Sequence, residues 1–64
     1  MTWAEVLREA EELVDVSYPD GTRVDWEDFI DRMEKHTDWD FGPQMDSPDI
    51  RRLQRHIRAY RRNG

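Results

Sequence analysis

The chain has 64 residues, of which 36% are hydrophobic and 39% charged, and its formal net charge is -5 at pH 7. That length allows a single domain over residues 1–64 and excludes an enzyme with a separate cofactor-binding half. The absence of cysteine excludes disulfide scaffolds, thiolate metal sites and cysteine nucleophiles. A mean hydropathy of -1.10 is near the polar edge of what folds, but three Trp, two Tyr and two Phe can build a thin core. Apolar burial and chain entropy nearly cancel at this size, so self-association or a partner is expected as a further source of stability.

The first element is a helix. Thr2 with Glu5 three residues later is a capping-box pattern, and Trp3, Val6, Leu7, Ala10 and Val14 recur at helical spacing, which predicts helix 1 from Trp3 to Val14. Its outer face is expected to carry Glu5, Arg8, Glu9, Glu12 and Asp15. Glu alternates with apolar side chains from Met1 to Glu12, unlike the apolar stretch of a signal peptide, and no apolar run approaches the roughly 20 residues that span a bilayer. A cytoplasmic protein with no membrane partner is expected.

Pro19-Asp20-Gly21 supplies a turn. Val16 and Tyr18 before it and Val24 after it can be paired as a minimal hairpin, though with arms of only two or three residues. Asp25 is a good N-cap, and Val24 with Phe29 occupies the positions of a hydrophobic staple. Trp26, Phe29, Ile30 and Met33 then form the stripe of helix 2, predicted from Trp26 to His36, with Lys35 and His36 suited to the negative end of the helix dipole.

Thr37 to Asp46 has no helical period and contains Gly42-Pro43, yet it carries Trp39, Phe41 and Met45. Three large apolar groups in so short a stretch are costly to leave in water, so an ordered cover over the core is expected. Ser47-Pro48-Asp49 then reads as N-cap, N1 proline and acidic first turn, which starts helix 3 at Pro48 and runs it to Arg62. Its apolar stripe is Ile50, Leu53, Ile57 and Tyr60. The expected fold is all-α: a small three-helix domain with an ordered aromatic-containing loop between helices 2 and 3. Its core is expected between those two helices, built above all from Trp26, Phe29, Ile30, Leu53 and Ile57.

Charge is distributed very unevenly. All fifteen Asp and Glu lie within residues 1–49 against four basic residues, a net of -11, while residues 50–64 hold six Arg and no acid, a net of +6. Such a chain can lay its basic segment on the acidic body, or present faces of opposite sign to partners, a homodimer included. The first option is the expected one, because a crowded acidic body finds its nearest relief in the basic helix.

The candidate site is the helix 3 face formed by Arg51, Arg52, Arg55, Arg58 and Arg62, opposite the apolar stripe. Guanidinium groups pair with carboxylates and phosphates alike, so both a protein partner and nucleic acid are chemically suited. A helix-turn-helix does not fit, because it needs a three- or four-residue turn where this chain has roughly ten residues. The acidic faces raise the opposite alternative, a mimic of nucleic-acid charge that inhibits a host enzyme: Glu5, Glu9, Glu12, Asp15, Glu27, Asp28 and Asp31 are all expected to point outward.

Other constellations favour structural roles. Asp38-Trp39-Asp40-Phe41-Gly42 alternates carboxylates, but Gly42, Pro43 and Asp49 stand where a calcium loop requires an oxygen ligand, Gly and Glu. Turn and capping roles are expected there, with no metal and no cofactor. His36 and His56 read as a dipole partner and a helix-flank residue, and no catalytic residue is assigned. Of Trp3, Trp26 and Trp39, two are expected in the core and one facing a partner.

Gly21-Thr22-Arg23-Val24-Asp25-Trp26-Glu27-Asp28-Phe29, followed by Asp46-Ser47-Pro48-Asp49-Ile50 and the Arg-rich end, resembles small uncharacterised accessory proteins of actinobacterial phages. The resemblance implies a source type and an Arg-biased genome, and it transfers no catalytic or binding motif. Together these readings give the expected function: a small non-catalytic regulatory or protein-interaction module, phage-encoded and host-directed. Nucleic-acid binding through the helix 3 Arg face is the alternative.

Overall fold

Three helices run in the order α1 (Trp3–Ser17), α2 (Trp26–Thr37) and α3 (Pro48–Asn63) in a computed structural model that describes residues 1–63. Both halves of the predicted capping box are present at the start of α1. The Thr2 hydroxyl accepts from the Glu5 N–H at 3.2 Å, and the Glu5 carboxylate accepts from the Thr2 N–H. The helix extends one turn beyond the expected Val14. It stops where Pro19 forces the preceding Tyr18 out of helical geometry, to φ -132° and ψ 81°. That extra turn replaces the hairpin: Val16 lies on the helix, 80% exposed, and no strand forms among the described residues. Pro19–Thr22 is closed by a Thr22 N–H to Pro19 carbonyl bond of 2.8 Å, with Gly21 at φ 87° as the third position of a type II turn requires.

Asp25 caps α2 by accepting from the Asp28 N–H. The helix runs one residue past His36 to Thr37, whose buried hydroxyl donates to the Met33 carbonyl at 2.7 Å. Asp38 then ends it in the left-handed region at φ 61°, a conformation that Asp tolerates better than most residues. The Asp40 carboxylate accepts from the Gly42 N–H at 2.9 Å, so Asp38 serves as cap through its backbone and Asp40 as a turn residue through its side chain. Ser47 occupies the N-cap position of α3, its carbonyl accepting from the Arg51 N–H at 3.0 Å. Its hydroxyl donates to the Phe41 carbonyl and ties the loop to the helix start.

The core joins all three helices and the loop: Val6, Ala10, Val14 and Tyr18, then Phe29, Ile30 and Met33, then Phe41, then Ile50, Leu53 and Ile57. Each fully buried large aliphatic or Phe contributes roughly 1.5–3 kcal/mol. The expected placement of the core between α2 and α3 is corrected. The backbone of α1 lies against both other helices, which approach each other only weakly. The small Ala10 and the β-branched Val6 and Val14 allow this close approach on two sides. Trp26 belongs to the half-buried rim rather than the centre. The loop covers the core as expected, with Phe41 2% exposed and Trp39 and Met45 half-buried. Among the described residues no helix is long and apolar enough to cross a membrane.

Candidate functional site

The five predicted arginines are exposed on α3, but they divide into two groups. Arg52 and Arg58 are drawn onto aromatic rims. The Arg52 guanidinium lies 4.4 Å from the Trp3 ring centroid and donates to Asp49 at 3.3 Å, and the Arg58 guanidinium lies 5.5 Å from the Trp26 centroid. Cation–π contacts at exposed positions contribute about 0.5–1 kcal/mol each, so these two arginines link α3 to the first turns of α1 and α2. The side chains of Arg51, Arg55 and Arg62 form no hydrogen bond or ion pair with described residues. With Gln54, Arg58 and Ala59 they line an open groove along the helix. Arg51, Arg55, Arg58 and Arg62 follow one another at intervals of four, three and four residues, which spaces them over roughly 16 Å at 1.5 Å per residue.

The expectation that these arginines relieve the acidic body is corrected. Among the described residues, Arg52 is the only predicted arginine that forms an ion pair, and it does so within its own helix. Other residues link the helices. His56 Nε2 is 2.8 Å from Glu11 Oε2, His36 Nε2 is 2.8 Å from Glu9 Oε2, and the Tyr60 hydroxyl donates to Asp15 at 2.6 Å. Two residues apart on α1, Glu9 and Glu11 turn toward opposite flanks, so one helix holds α2 by one histidine and α3 by the other. The Asp15 acceptor holds the Tyr60 hydroxyl above its ordinary pKa.

Arg61, absent from the predicted face, is the most heavily bonded arginine of α3. Its guanidinium donates to the carbonyls of Tyr18, Pro19 and Thr22 at 2.9, 3.2 and 3.1 Å. The turn between α1 and α2 leaves these carbonyls without helical partners. No local signal marks this contact, because donor and acceptors are about forty residues apart; the basic last turn of α3 only makes it available.

The acidic surface is likewise only partly free. Asp28, expected to point outward, accepts from both Tyr18 and Arg32, the latter at 2.7 Å, and these bonds hold its carboxyl below the usual range. Glu9 is engaged by His36. Glu12 and Glu27 are exposed and unpaired among the described residues.

The expected division of the three tryptophans is corrected too, since all are half-buried. Trp3 packs on Trp39 at 5.5 Å and on Phe41 at 6.3 Å, Trp26 packs edge-on against Phe29 at 5.9 Å, and the Trp39 indole N–H donates to Asp49 at 3.2 Å. The edge of Trp26 still reaches a second groove, lined by Thr22, Arg23, Val24, Ile57, Arg58 and Arg61. Arg58 separates this groove from the arginine groove. Among the described residues no three His, Asp or Glu side chains converge as metal ligands would. The arrangement offers an open basic strip with an aromatic end, suited to docking an extended anionic surface. Comparison with protein-family models, with curated proteins and with solved structures gives no match.

Proposed function

We propose that the chain is a small non-catalytic regulatory module that acts by protein contact, receiving a carboxylate-bearing protein surface on the α3 face of Arg51, Arg55, Arg58 and Arg62. The observation that carries this reading is the lack, among the described residues, of any carboxylate partner for these four arginines in a chain with fifteen acids. The molecule measures 28 × 21 × 18 Å, and at physiological salt the screening length is about 8 Å. Carboxylates on the far side of the molecule therefore repel an anionic partner only weakly. The resemblance to phage accessory proteins adds a host-directed, cytoplasmic setting to the same proposal.

Nucleic-acid binding is the second reading, favoured by the continuity of the arginine strip with the exposed edge of Trp26, on which a base can stack. It is disfavoured by the net charge of -5 and by the long α2–α3 connection, which provides no helix-turn-helix. Titration of the protein with a polyglutamate peptide and with a mixed-sequence duplex, each at physiological salt, separates the two. Peptide binding that disappears in R55E/R62E is expected; tight duplex binding without peptide binding would overturn the proposal in favour of nucleic acid.

A further inference from the structure

We infer that one carboxylate surface the α3 face receives is the outer face of α1 on a second copy of this chain. This inference rests on the reading of the α3 face as a carboxylate receptor. Along α1, Glu5, Arg8, Glu12 and Val16 are exposed at intervals of three or four residues and so form one stripe. Glu12 is unpaired among the described residues, and Glu5 bonds only to its own cap. Val16 is 80% exposed and ends the stripe with a large apolar group that nothing covers.

The two faces match in spacing. Glu5 and Glu12 are seven residues apart, as are Arg55 and Arg62, which places each pair roughly 10.5 Å apart along its helix. Arg8 lies between the carboxylates, and the small Ala59 lies between the arginines. Arg58, the one charge that would oppose Arg8, is drawn aside onto Trp26. A single molecule cannot make this contact. Within the chain α3 meets α1 through His56–Glu11 and Tyr60–Asp15, and Arg55 and Arg62 lie around the helix from His56 and Tyr60. Charges that cannot meet within one molecule can meet between two. With the acidic face of one copy seated on the basic face of the next, the contact is head-to-tail, and it leaves a free face of each kind at the ends.

Sedimentation tests this directly. The wild type is expected to gain mass with concentration at about 0.05 M salt, its association weakening several-fold by about 0.5 M as screening shortens. R55E/R62E lacks the basic face. E5Q/E12K lacks the acidic face, while Gln at position 5 retains the capping box. Each variant alone is expected to stay monomeric, and an equal mixture to form a 1:1 complex that grows no further. A wild type monomeric at millimolar concentration in low salt, undiminished association of either variant, or a mixture that stays monomeric would each overturn the inference. Circular dichroism checks that both variants fold, and R55Q/R62Q with E5Q/E12Q gives the same reading if a reversed charge unfolds the chain. Polyglutamate binding by E5Q/E12K separates the two proposals: if it persists while the wild type does not self-associate, only the second-copy inference fails.

Discussion

Glu11 and His56, 45 residues apart in the chain, meet at 2.8 Å across the α1–α3 interface with each side chain about one-third exposed. Such a pair at the edge of a thin core orients a helix more than it stabilises it. A double-mutant cycle of E11A and H56A, read by chemical denaturation at low salt, is expected to give a coupling of about 0.2–1 kcal/mol. The same cycle on Glu9 and His36 is expected to give a similar or smaller value, since the His36 side chain is 50% exposed. A coupling indistinguishable from zero in both cycles would show that packing alone sets the helix positions.

Tyr18 gives the fold an alkaline limit. Burial, followed by its hydrogen bond to the Asp28 carboxylate, pushes its pKa from 10.0 up to about 12. The unfolded chain loses this proton first, so the stabilisation is intact below pH 10 and is lost as pH rises toward 12. On the acid side the same bond helps to lower the Asp28 pKa, so its contribution is lost as pH falls through the folded-state value. Y18F is expected to cost about 0.5–1.5 kcal/mol at neutral pH and to flatten the stability profile at both ends. Thermal melts from pH 2 to pH 12 measure this; unchanged alkaline behaviour in Y18F would assign the limit to another group.

Leu53 is fully buried in the core. L53A is expected to cost about 2–4 kcal/mol from lost transfer energy and the residual cavity. A domain of this length has only about 3–10 kcal/mol of stability, so the variant is expected to show reduced helicity at 37 °C by circular dichroism. Wild-type melting in L53A would show that α3 does not bury this face.

The helices were legible because their signals are local. Thr2 with Glu5, Asp25, and Ser47-Pro48 fix the starts, and Val6, Ala10 and Val14, then Phe29, Ile30 and Met33, then Ile50, Leu53 and Ile57 mark the buried stripes. The end of α1 was missed by one turn because Asp15, Val16 and Ser17 carry no apolar period; Pro19 stops the helix, two residues further on. The pairing of elements was less legible. Four of the predicted arginines are explained by the helical wheel alone, whereas the cross-helix partners of Glu9, Glu11, Asp15 and Arg61 depend on how the helices pack, and a count of charge does not encode that. The charge partition therefore suggested an arginine-to-acid clasp where the structure uses two histidines and a tyrosine.

Arg61 and Arg62 are neighbours in sequence with different expected roles, and comparing them separates structure from recognition. Arg61 donates to three carbonyls of the turn that follows α1. Hydrogen bonds from a charged donor contribute about 1.5–3 kcal/mol when well formed, and partial exposure brings the expected cost of R61Q to about 1–3 kcal/mol in all. Arg62 has no such partners, and R62Q is expected to stay within about 0.5 kcal/mol of wild type. Binding is expected to show the reverse order. R62Q weakens polyglutamate binding and reduces its salt dependence, because it removes an exposed charge from the groove, while R61Q leaves the affinity of the folded fraction close to wild type. A thermal shift with R62Q as large as that with R61Q would mean that the outer arginines also hold the fold together, and the α3 face would lose its claim to be free for a partner.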